Sequence, residues 1–336
     1  HPDSAVCNEA VKIAQRRGFY NLKGFVNGVL RNTARRLSQV KYPDENLDPL
    51  HYLSVRYSFP IWMLDKWMQQ FGYETTEKIC RDTHMKKGTV VRCDLQKASK
   101  EEIIEELKKD GASVREHPYL DYALVLSDYN YIGALSAFKK GWITVQDISS
   151  MLVAEVAAPN WGDYCIDVCA APGGKTIATA ERMKNQGRIL AMDFYEHKLV
   201  LIEEQARRCG IDIIETKCHD STEGISEFAG RADRVLADVP CSGLGVMGRK
   251  PEIKYRENPD LEELTQKQAK ILEQASHYVK SGGTLVYSTC TINRNENERQ
   301  IENFLKKHAD FRVDRELQLL PTEGTDGFFI CRMIRG

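Results

Sequence analysis

The sequence lacks several features that would narrow its function at once. Its ten cysteines include no C-x-x-C pair, which argues against a zinc ribbon, and no other metal-ligand cluster stands out. It has no signal-peptide pattern and no apolar run long enough to span a bilayer. Its 47 basic and 48 acidic residues nearly balance, so no overall positive field indicates nucleic acid. We expect a cytoplasmic protein with reduced thiols, no membrane attachment and no metal.

A complete phosphate-binding loop is missing as well. Residues 167–180, DVCAAPGGKTIATA, contain the Gly-Lys-Thr that ends a triphosphate-binding loop. The first glycine of that motif would fall at Cys169, and Pro172 removes one backbone N–H from the cradle. The dinucleotide fingerprint G-x-G-x-x-G is not found in this turn either. The turn therefore argues against a dehydrogenase and against an ATPase, although ATP hydrolysis stays open as an alternative.

The amino-terminal part of the chain reads as helical. Apolar residues at helical spacing predict helices within residues 4–37, which we expect to be the remainder of a larger helical domain. Residues 11–42 contain eight Lys or Arg and no acid, a pattern that predicts contacts with phosphate groups. A solvated helix face is the alternative interpretation of this charge run.

Two further patterns follow along the chain. From residue 88 the order is strand, helix, strand, strand, then a helix over 131–141, which predicts a small α+β module. From about residue 163 strands alternate regularly with helices, which predicts an α/β fold with a parallel, doubly wound sheet. We therefore divide the chain into a helical segment at 1–42, a linker at 43–58, an α+β module at 59–140 and an α/β domain at 141–336.

Polar residues stand at the ends of the predicted α/β strands, where such sheets bind ligands. A glycine-rich first turn with an acid after the second strand, Asp193, is the nucleoside-binding arrangement. Without a pyrophosphate cradle, this turn suits a nucleoside that has no diphosphate, such as S-adenosylmethionine. The strand-end residues are Asp167, Asp193, Asp220, Asp238 and Cys290.

Two cysteines suggest the chemistry. Cys241 in DVPCSG and Cys290 in YSTCT each follow a predicted strand, so both are expected at the ligand edge of the sheet. A cysteine is usually a small buried hydrophobe, but a thiolate with a lowered pKa is a good nucleophile. Asp238, just before Cys241, could protonate or hydrogen-bond a substrate.

These motifs resemble a known family. DVCAAPGGKT, ADVPCSGLG and YSTCT together are similar to the RNA cytosine-5 methyltransferases, and VQDISSMLV (145–153), GRKPEIKY (248–255) and TDGFFICRM (325–333) add to the match. In the other half of the chain, GFVNGVLRN (24–32) resembles the end of the NusB-like helical domain of the RsmB (Sun/Fmu) branch, which methylates bacterial small-subunit rRNA. Asp94 departs from this pattern, since the family usually has Asn there.

The resemblance implies a fold and a set of catalytic residues. The fold is a Rossmann-like S-adenosylmethionine-dependent methyltransferase domain at 141–336, a small RNA-binding α+β module at 59–140 and a partial NusB-like segment at 1–42. Cys290 would add to carbon 6 of cytosine, and Cys241 would assist release of the product. Asp238 would donate to ring nitrogen 3, which requires a raised carboxyl pKa. Lys175 would stabilise negative charge or merely cap its loop.

The resemblance also implies the binding residues. Asp193 would bind the ribose of S-adenosylmethionine, Asp220 would lie beside the adenine, and Asp238 would border the methyl pocket. The other cofactor-binding positions form one turn: Cys169, Ala170, Ala171, Pro172, Gly173, Gly174 and Lys175. The expected RNA-binding residues are Arg31, Arg35, Arg36, Arg249 and Lys250.

The substrate expected from this branch is 16S rRNA, bound by a monomer. A tRNA cytosine is the alternative within the enzyme interpretation, and a non-catalytic NusB-like RNA-binding protein is the alternative outside it. The second alternative leaves both cysteine motifs without a purpose.

Overall fold

The computed structural model describes residues 2–85, 88–256, 261–322 and 324–336. The chain divides into two compact units, residues 1–65 and residues 66–336. Among the described residues, no helix is both long enough and apolar enough to cross a membrane.

The first unit is helical, as the apolar spacing predicts. It contains α1 (Asp3–Arg16), α2 (Lys23–Arg36) and α3 (Pro49–Tyr57), and α4 (Ile61–Phe71) begins within it. The segment 43–58 was predicted as a linker, and this is wrong for its second half, which forms α3. That helix starts where Asp48 accepts a hydrogen bond from the backbone N–H of His51 and proline occupies the first helical position.

The second unit begins with α5 (Tyr73–Thr83) and a small antiparallel sheet. The sheet elements are β1 (Thr89–Cys93), α6 (Lys100–Lys109), β2 (Ser113–Glu116), β3 (Ala123–Ser127), α7 (Ser136–Lys139) and β4 (Ile143–Val145), and the strand order is β2-β3-β1-β4. Helix α6 begins with a reciprocal capping box between Ser99 and Glu102, which stabilises such a helix by about 1 kcal/mol. The strand and helix predictions up to residue 127 are confirmed.

Two details of the predicted module are wrong. The helix expected over 131–141 is a 3₁₀ turn at Ile132–Ala134 followed by the single turn α7, because Leu135 is extended and Asp110 caps Ser136. The strand β4 was not predicted, and it pairs with β1 from Val91↔Val145. The small sheet therefore continues past the predicted boundary at residue 140.

The large sheet has seven strands in the order β10-β11-β9-β8-β5-β6-β7. Five of them, β5 to β9, run parallel as predicted, whereas the carboxyl-terminal pair β10 and β11 runs antiparallel and was not predicted. The elements in chain order are α8 (Ile148–Ala157), β5 (Tyr164–Asp167), α9 (Gly174–Arg182), β6 (Arg188–Asp193), α10 (Glu196–Arg208), β7 (Ile214–Cys218), β8 (Ala232–Asp238), α11 (Leu261–Tyr278), β9 (Val279–Thr289), α12 (Glu298–Leu305), β10 (Phe311–Leu319) and β11 (Phe328–Arg335).

The central strands are buried on both faces, which explains their continuous apolar sequence. Val235 and Leu285 face one core, and their chain neighbours Leu236 and Val286 face the other. Strands β8 and β9 lie side by side, with Asp238 opposite Ser288 at their carboxyl ends. This register places the loops that follow the two strands next to each other.

A buried ion pair joins the small sheet to helix α9, which packs beside the large sheet. Arg92 on β1 binds both carboxylate oxygens of Glu181 on α9, at 2.7 and 2.9 Å, and also donates to the backbone carbonyl of Gly174 at 3.2 Å. Both side chains are at least nine-tenths buried. Strand β1 is thereby tied to the first residue of the helix that follows the glycine-rich turn.

We expect Arg92→Met to lower the free energy of unfolding by about 3–5 kcal/mol, because it leaves the Glu181 carboxylate buried without its cation. Urea denaturation of the full chain measures this loss. Arg115→Met, an exposed arginine on β2 of the same sheet, is the matched control and should stay near the wild type. A loss below about 1 kcal/mol for Arg92→Met would show that the pair adds little.

Candidate active site

The two cysteines that follow β8 and β9 meet at the carboxyl edge of the large sheet. The Sγ atoms of Cys241 and Cys290 lie 2.9 Å apart. The backbone N–H of Cys290 also donates to Sγ of Cys241 at 3.2 Å. The prediction that parallel strands would bring these distant residues together is borne out by the geometry.

The two thiols have different electrostatic surroundings. The Cys241 thiol donates a hydrogen bond to Cys290 and thereby lowers the pKa of Cys290; burial and Asp238 oppose this shift, and Lys175 supports it. The same hydrogen bond, together with burial, raises the pKa of Cys241 well above its usual value. Cys290 is therefore the better candidate for a thiolate nucleophile, and Cys241 remains a protonated donor.

Asp238 lies between two donors at the end of β8. The ammonium of Lys175 is 2.6 Å from Oδ2, and the hydroxyl of Ser288 donates to Oδ1 at 2.8 Å. Burial tends to lower the pKa of Lys175, but the Asp238 carboxylate outweighs it and raises that pKa. The ammonium of Lys175 faces the Asp238 carboxylate. This position favours stabilisation of negative charge over capping of the loop.

The backbone N–H groups of the glycine-rich turn donate hydrogen bonds within the protein. Ala170 donates its N–H to the carbonyl of Met192, and Gly173 donates to the carbonyl of Ala170. The N–H of Ala171 donates to Asp193 at 3.3 Å, and that of Cys169 donates to Asp167 at the same distance. A triphosphate would need these groups as its cradle, so the ATPase alternative loses its binding site.

The backbone conformation and the packing of the turn explain the glycine at position 173. Gly173 has φ +105°, and a Cβ atom built there would lie 3.3 Å from Cα of Ile202 on α10. The side chain is therefore excluded by the backbone conformation and by a neighbouring helix.

A cleft of about 380 Å³ opens at this edge of the sheet. Its lining includes Cys241 and Cys290 together with Asp193, Asp220 and Asp238. Among the residues of the glycine-rich turn, Cys169 and Ala171 reach it. The volume lies within the range of small-molecule sites, so a nucleoside-sized ligand fits.

The acids of the cleft are held in defined positions. Asp193 accepts the N–H of Ala171 on Oδ2 and the N–H of Tyr195 on Oδ1 at 3.2 Å. Asp220 accepts both the N–H and the hydroxyl of Thr222 on a single oxygen. A carboxylate has about four acceptor positions, so each can still bind hydroxyl or amino groups.

Asp167 is not part of the cleft. It is almost completely buried, and it accepts the hydroxyl of Thr176 at 2.8 Å. Burial raises the pKa of Asp167 to about 7.

Sequence reasoning missed several residues of the site. Phe194 and Tyr195 follow Asp193 directly, line the cleft, and are about half exposed. Lys267 on α11 also lines it, with its ammonium 5.6 Å from the centre of the Phe194 ring. An aromatic pair directly after a strand-end acid is a signal that could have been used, whereas nothing local singles out Lys267.

The predicted RNA-binding residues fall into two groups. Arg31, Arg35 and Arg36 are exposed on α2, and Lys250 is exposed as well. Arg249 instead pairs with the carboxylates of Asp147 and Asp326, so its charge is used within the protein. For Arg249 phosphate binding stays a prediction, and the structure adds a role in joining these two carboxylates.

Three segments of the chain match family models. Residues 154–334 match 16S rRNA methyltransferase RsmB/F, residues 59–131 match the RsmF/B-like ferredoxin-like domain, and residues 1–35 match the NusB family. The chain belongs to the 16S rRNA methyltransferase RsmB/F family. The first match covers more than half of the chain, and it includes every residue of the cleft named above.

Relatives of the whole chain agree with this membership. A probable ribosomal RNA small subunit methyltransferase B of Bacillus subtilis is 39% identical, over 99% of this chain and 78% of that protein. The crystal structure of PH0851 is 30% identical with a TM-score of 0.82, and the match covers 96% of this chain and 74% of that one. A methyltransferase homolog from Pyrococcus horikoshii is 26% identical with a TM-score of 0.73, over 84% and 98% of the two chains.

Membership in the RsmB/F family confirms three of the predictions. The fold is a Rossmann-like methyltransferase domain combined with a ferredoxin-like module and a NusB-like segment. The reaction class is methyl transfer to ribosomal RNA, and the cofactor is S-adenosylmethionine. The ATPase and the non-catalytic RNA-binding protein are thereby set aside.

Proposed function

We propose that this protein methylates carbon 5 of a cytosine in 16S rRNA through a covalent intermediate on Cys290. The observation that carries the proposal is the pair of Sγ atoms 2.9 Å apart in the cleft that also contains Asp193 and Asp220. A methyltransferase that acts on an oxygen or an exocyclic nitrogen needs no thiol pair there. Methylation of a pyrimidine carbon needs a thiol, because the carbon is a poor nucleophile until a thiolate has been added to the ring.

The first step is addition of the Cys290 thiolate to carbon 6 of the cytosine. The sulfur supplies the electron pair for the new C–S bond, and the electrons of the 5,6 double bond move toward carbon 5. The proton for ring nitrogen 3 comes from the ammonium of Lys175, 2.6 Å from Oδ2 of Asp238, and passes to the ring through the Asp238 carboxyl group, which leaves Lys175 neutral. Carbon 5 then behaves as an enamine carbon and can attack an electrophile.

The last step is release of the protein. The proton on carbon 5 leaves, its bonding electrons restore the 5,6 double bond, and the C–S bond breaks with its electron pair returning to Cys290. We propose Cys241 as the residue that assists this proton transfer. Cys241 first gives its own proton to solvent, and its raised pKa then supports the role, because a thiolate of high pKa is a strong proton acceptor.

S-adenosylmethionine supplies the electrophilic methyl group when it is bound. We propose that Asp193 holds its ribose hydroxyls, that Asp220 lies beside its adenine, and that Asp238 borders the methyl group. The turn from Cys169 to Lys175 contributes backbone and side-chain contacts, of which Cys169 and Ala171 reach the cleft. Both carboxylates that would meet the nucleoside are already fixed by backbone N–H donors, so they need little reorganisation.

The RNA must present an unstacked base to reach the thiol. We propose that Arg31, Arg35 and Arg36 bind phosphates, because they are exposed in a segment without acids. Lys250, which is exposed and whose charge lowers the pKa of Cys290, is the proposed basic residue near the thiols. We propose that the enzyme acts as a monomer in the cytoplasm, where its free thiols stay reduced.

The proposal is tested with the purified chain, 16S rRNA and tritiated S-adenosylmethionine, followed by bisulfite sequencing of the RNA. We expect one protected cytosine in the 16S rRNA and none in a parallel reaction with tRNA. Label in tRNA alone would favour the tRNA alternative. Label in 16S rRNA without any bisulfite-resistant cytosine would refute methylation at carbon 5.

A further inference from the structure

We infer that Glu296, which lies before α12 and does not line the cleft, is a positioning residue that clamps the two cysteine loops and polarises the thiol pair toward a Cys290 thiolate. The inference deepens the proposed function and rests on it. Neither the sequence motifs nor the family match assigns a role to this residue.

Glu296 is completely buried and is surrounded by hydrogen-bond donors. Its Oε1 accepts the hydroxyl of Ser242 at 2.6 Å and the side-chain amide of Asn293 at 2.9 Å. Its Oε2 accepts the backbone N–H of Ser242 at 2.8 Å and the side-chain amide of Gln268 at 3.0 Å. All of these donors are neutral, so the carboxylate keeps an uncompensated negative charge in the interior.

This carboxylate binds both cysteine loops at once. Ser242 directly follows Cys241, and Asn293 lies three residues after Cys290 in the other loop. The backbone of Glu296 is itself fixed, since its carbonyl accepts the hydroxyl of the buried Tyr287 at 2.7 Å. A single side chain therefore sets the register of the two loops and with it the contact between the sulfurs.

The charge of Glu296 acts unequally on the two thiols. It raises the pKa of Cys241, next to the larger effects of the hydrogen bond to Cys290 and of burial. It is not among the main influences on Cys290, whose pKa is lowered by the hydrogen bond from Cys241 first and by the charges of Lys175 and Lys250 next, against burial and the charge of Asp238. A negative charge on one side and positive charges on the other favour the proton on Cys241 and the thiolate on Cys290. The other charged groups that face the pair are Asp238, Lys175 and Lys250.

The test measures alkylation of each thiol of the full chain by iodoacetamide across a pH series, with peptide mass spectrometry to assign the sites. In the wild type we expect Cys290 to react in preference to Cys241. In Glu296→Gln the pKa of Cys241 falls, so this preference should drop about tenfold if the charge is worth about one pKa unit. Methyl transfer in a single turnover should slow by at least about tenfold, by the same conversion.

Two further variants separate charge from structure. Ser242→Ala removes one donor and keeps the carboxylate charge, so it should keep the preference for Cys290 while methyl transfer slows. Glu302→Gln changes an exposed carboxylate on α12 and should match the wild type in both measurements. Thermal unfolding of each variant checks that the fold is retained.

The outcomes are decisive in each case. If Glu296→Gln folds and matches the wild type in both its alkylation preference and its rate of methyl transfer, the inference is overturned. If that variant does not fold, Ser242→Ala and Asn293→Ala decide, and unchanged methyl transfer in both overturns it. If the thiol reactivities change as expected but the wild type methylates no cytosine, the proposed function fails while the polarisation of the pair stands.

Discussion

Cys290→Ala is expected to reduce methyl transfer to cytosine by at least about 10⁴-fold, since the variant loses the sulfur that forms the C–S bond and the neighbouring Cys241 thiol has a raised pKa. Binding of S-adenosylmethionine and of RNA should persist. The backbone of residue 290 is held by hydrogen bonds that alanine keeps, including the one its carbonyl accepts from Gly245 at 3.0 Å. The loss is therefore expected in the chemical step alone.

The measurement is a single-turnover reaction with tritiated S-adenosylmethionine, beside filter binding of the same RNA. Cys218→Ser is the matched control, because it changes an exposed cysteine and its hydroxyl can still donate to the carbonyl of Phe194. The control should methylate at the wild-type rate. Normal turnover by Cys290→Ala would show that the reaction does not pass through this thiol.

The parallel part of the large sheet could be predicted from the sequence because its strands are buried on both faces and read as continuous apolar runs. Once such strands alternate with helices, their carboxyl ends must share one edge. This alone places Asp193, Cys241 and Cys290 in one cleft, although they are widely separated along the chain. The meeting of the two cysteines with Asp193 could therefore be predicted from the sequence alone.

The edge strand β10 could not be predicted in the same way, whereas β11 lies inside the sheet and has a buried apolar run that would have indicated it. β10 has exposed charged residues along the edge of the sheet and no apolar run. The short strand β4 has only three residues, and its identity depends on pairing with β1, which local sequence does not reveal. Both failures have the same cause, since edge and short strands are defined by their partners.

The roles of individual side chains depended on contacts that spacing does not encode. The sequence predicts Arg249 as a phosphate ligand. In the structure it pairs with Asp147, 102 residues upstream, and with Asp326, 77 residues downstream. Glu296 gave no signal, because its five hydrogen bonds come from three segments, with donors on Ser242, Gln268, Thr291 and Asn293. A motif identifies the type of reaction, whereas the packing around it decides which charged residues remain available.

Cys241→Ala is expected to trap the protein on its RNA. Without the residue that assists loss of the carbon-5 proton, the C–S bond to Cys290 persists after methylation. A denaturing gel with labelled RNA should show a slowly migrating covalent species that survives heating in detergent. The double variant Cys241→Ala, Cys290→Ala should show none, because the adduct requires the nucleophile.

Cys241→Ala should also slow the formation of the adduct. Removing Cys241 removes the hydrogen bond that is the largest cause of the lowered pKa of Cys290. With that donor gone the pKa of Cys290 rises, so its thiolate fraction at neutral pH falls and increases again as the pH is raised. The adduct should therefore form slowly at neutral pH and faster in mildly alkaline buffer.

Cys241→Ser distinguishes the two roles of the lost thiol. A serine hydroxyl can still donate to Cys290, but it has too high a pKa to become the proton acceptor at release. We expect it to form the adduct faster than the alanine variant at neutral pH and to retain it as firmly. If both variants methylate the RNA and neither forms an adduct at any pH, Cys241 has no part in release and is only a neighbour of the nucleophile. Equal rates of adduct formation in the two would instead show that the 2.9 Å contact between the sulfurs does not activate Cys290.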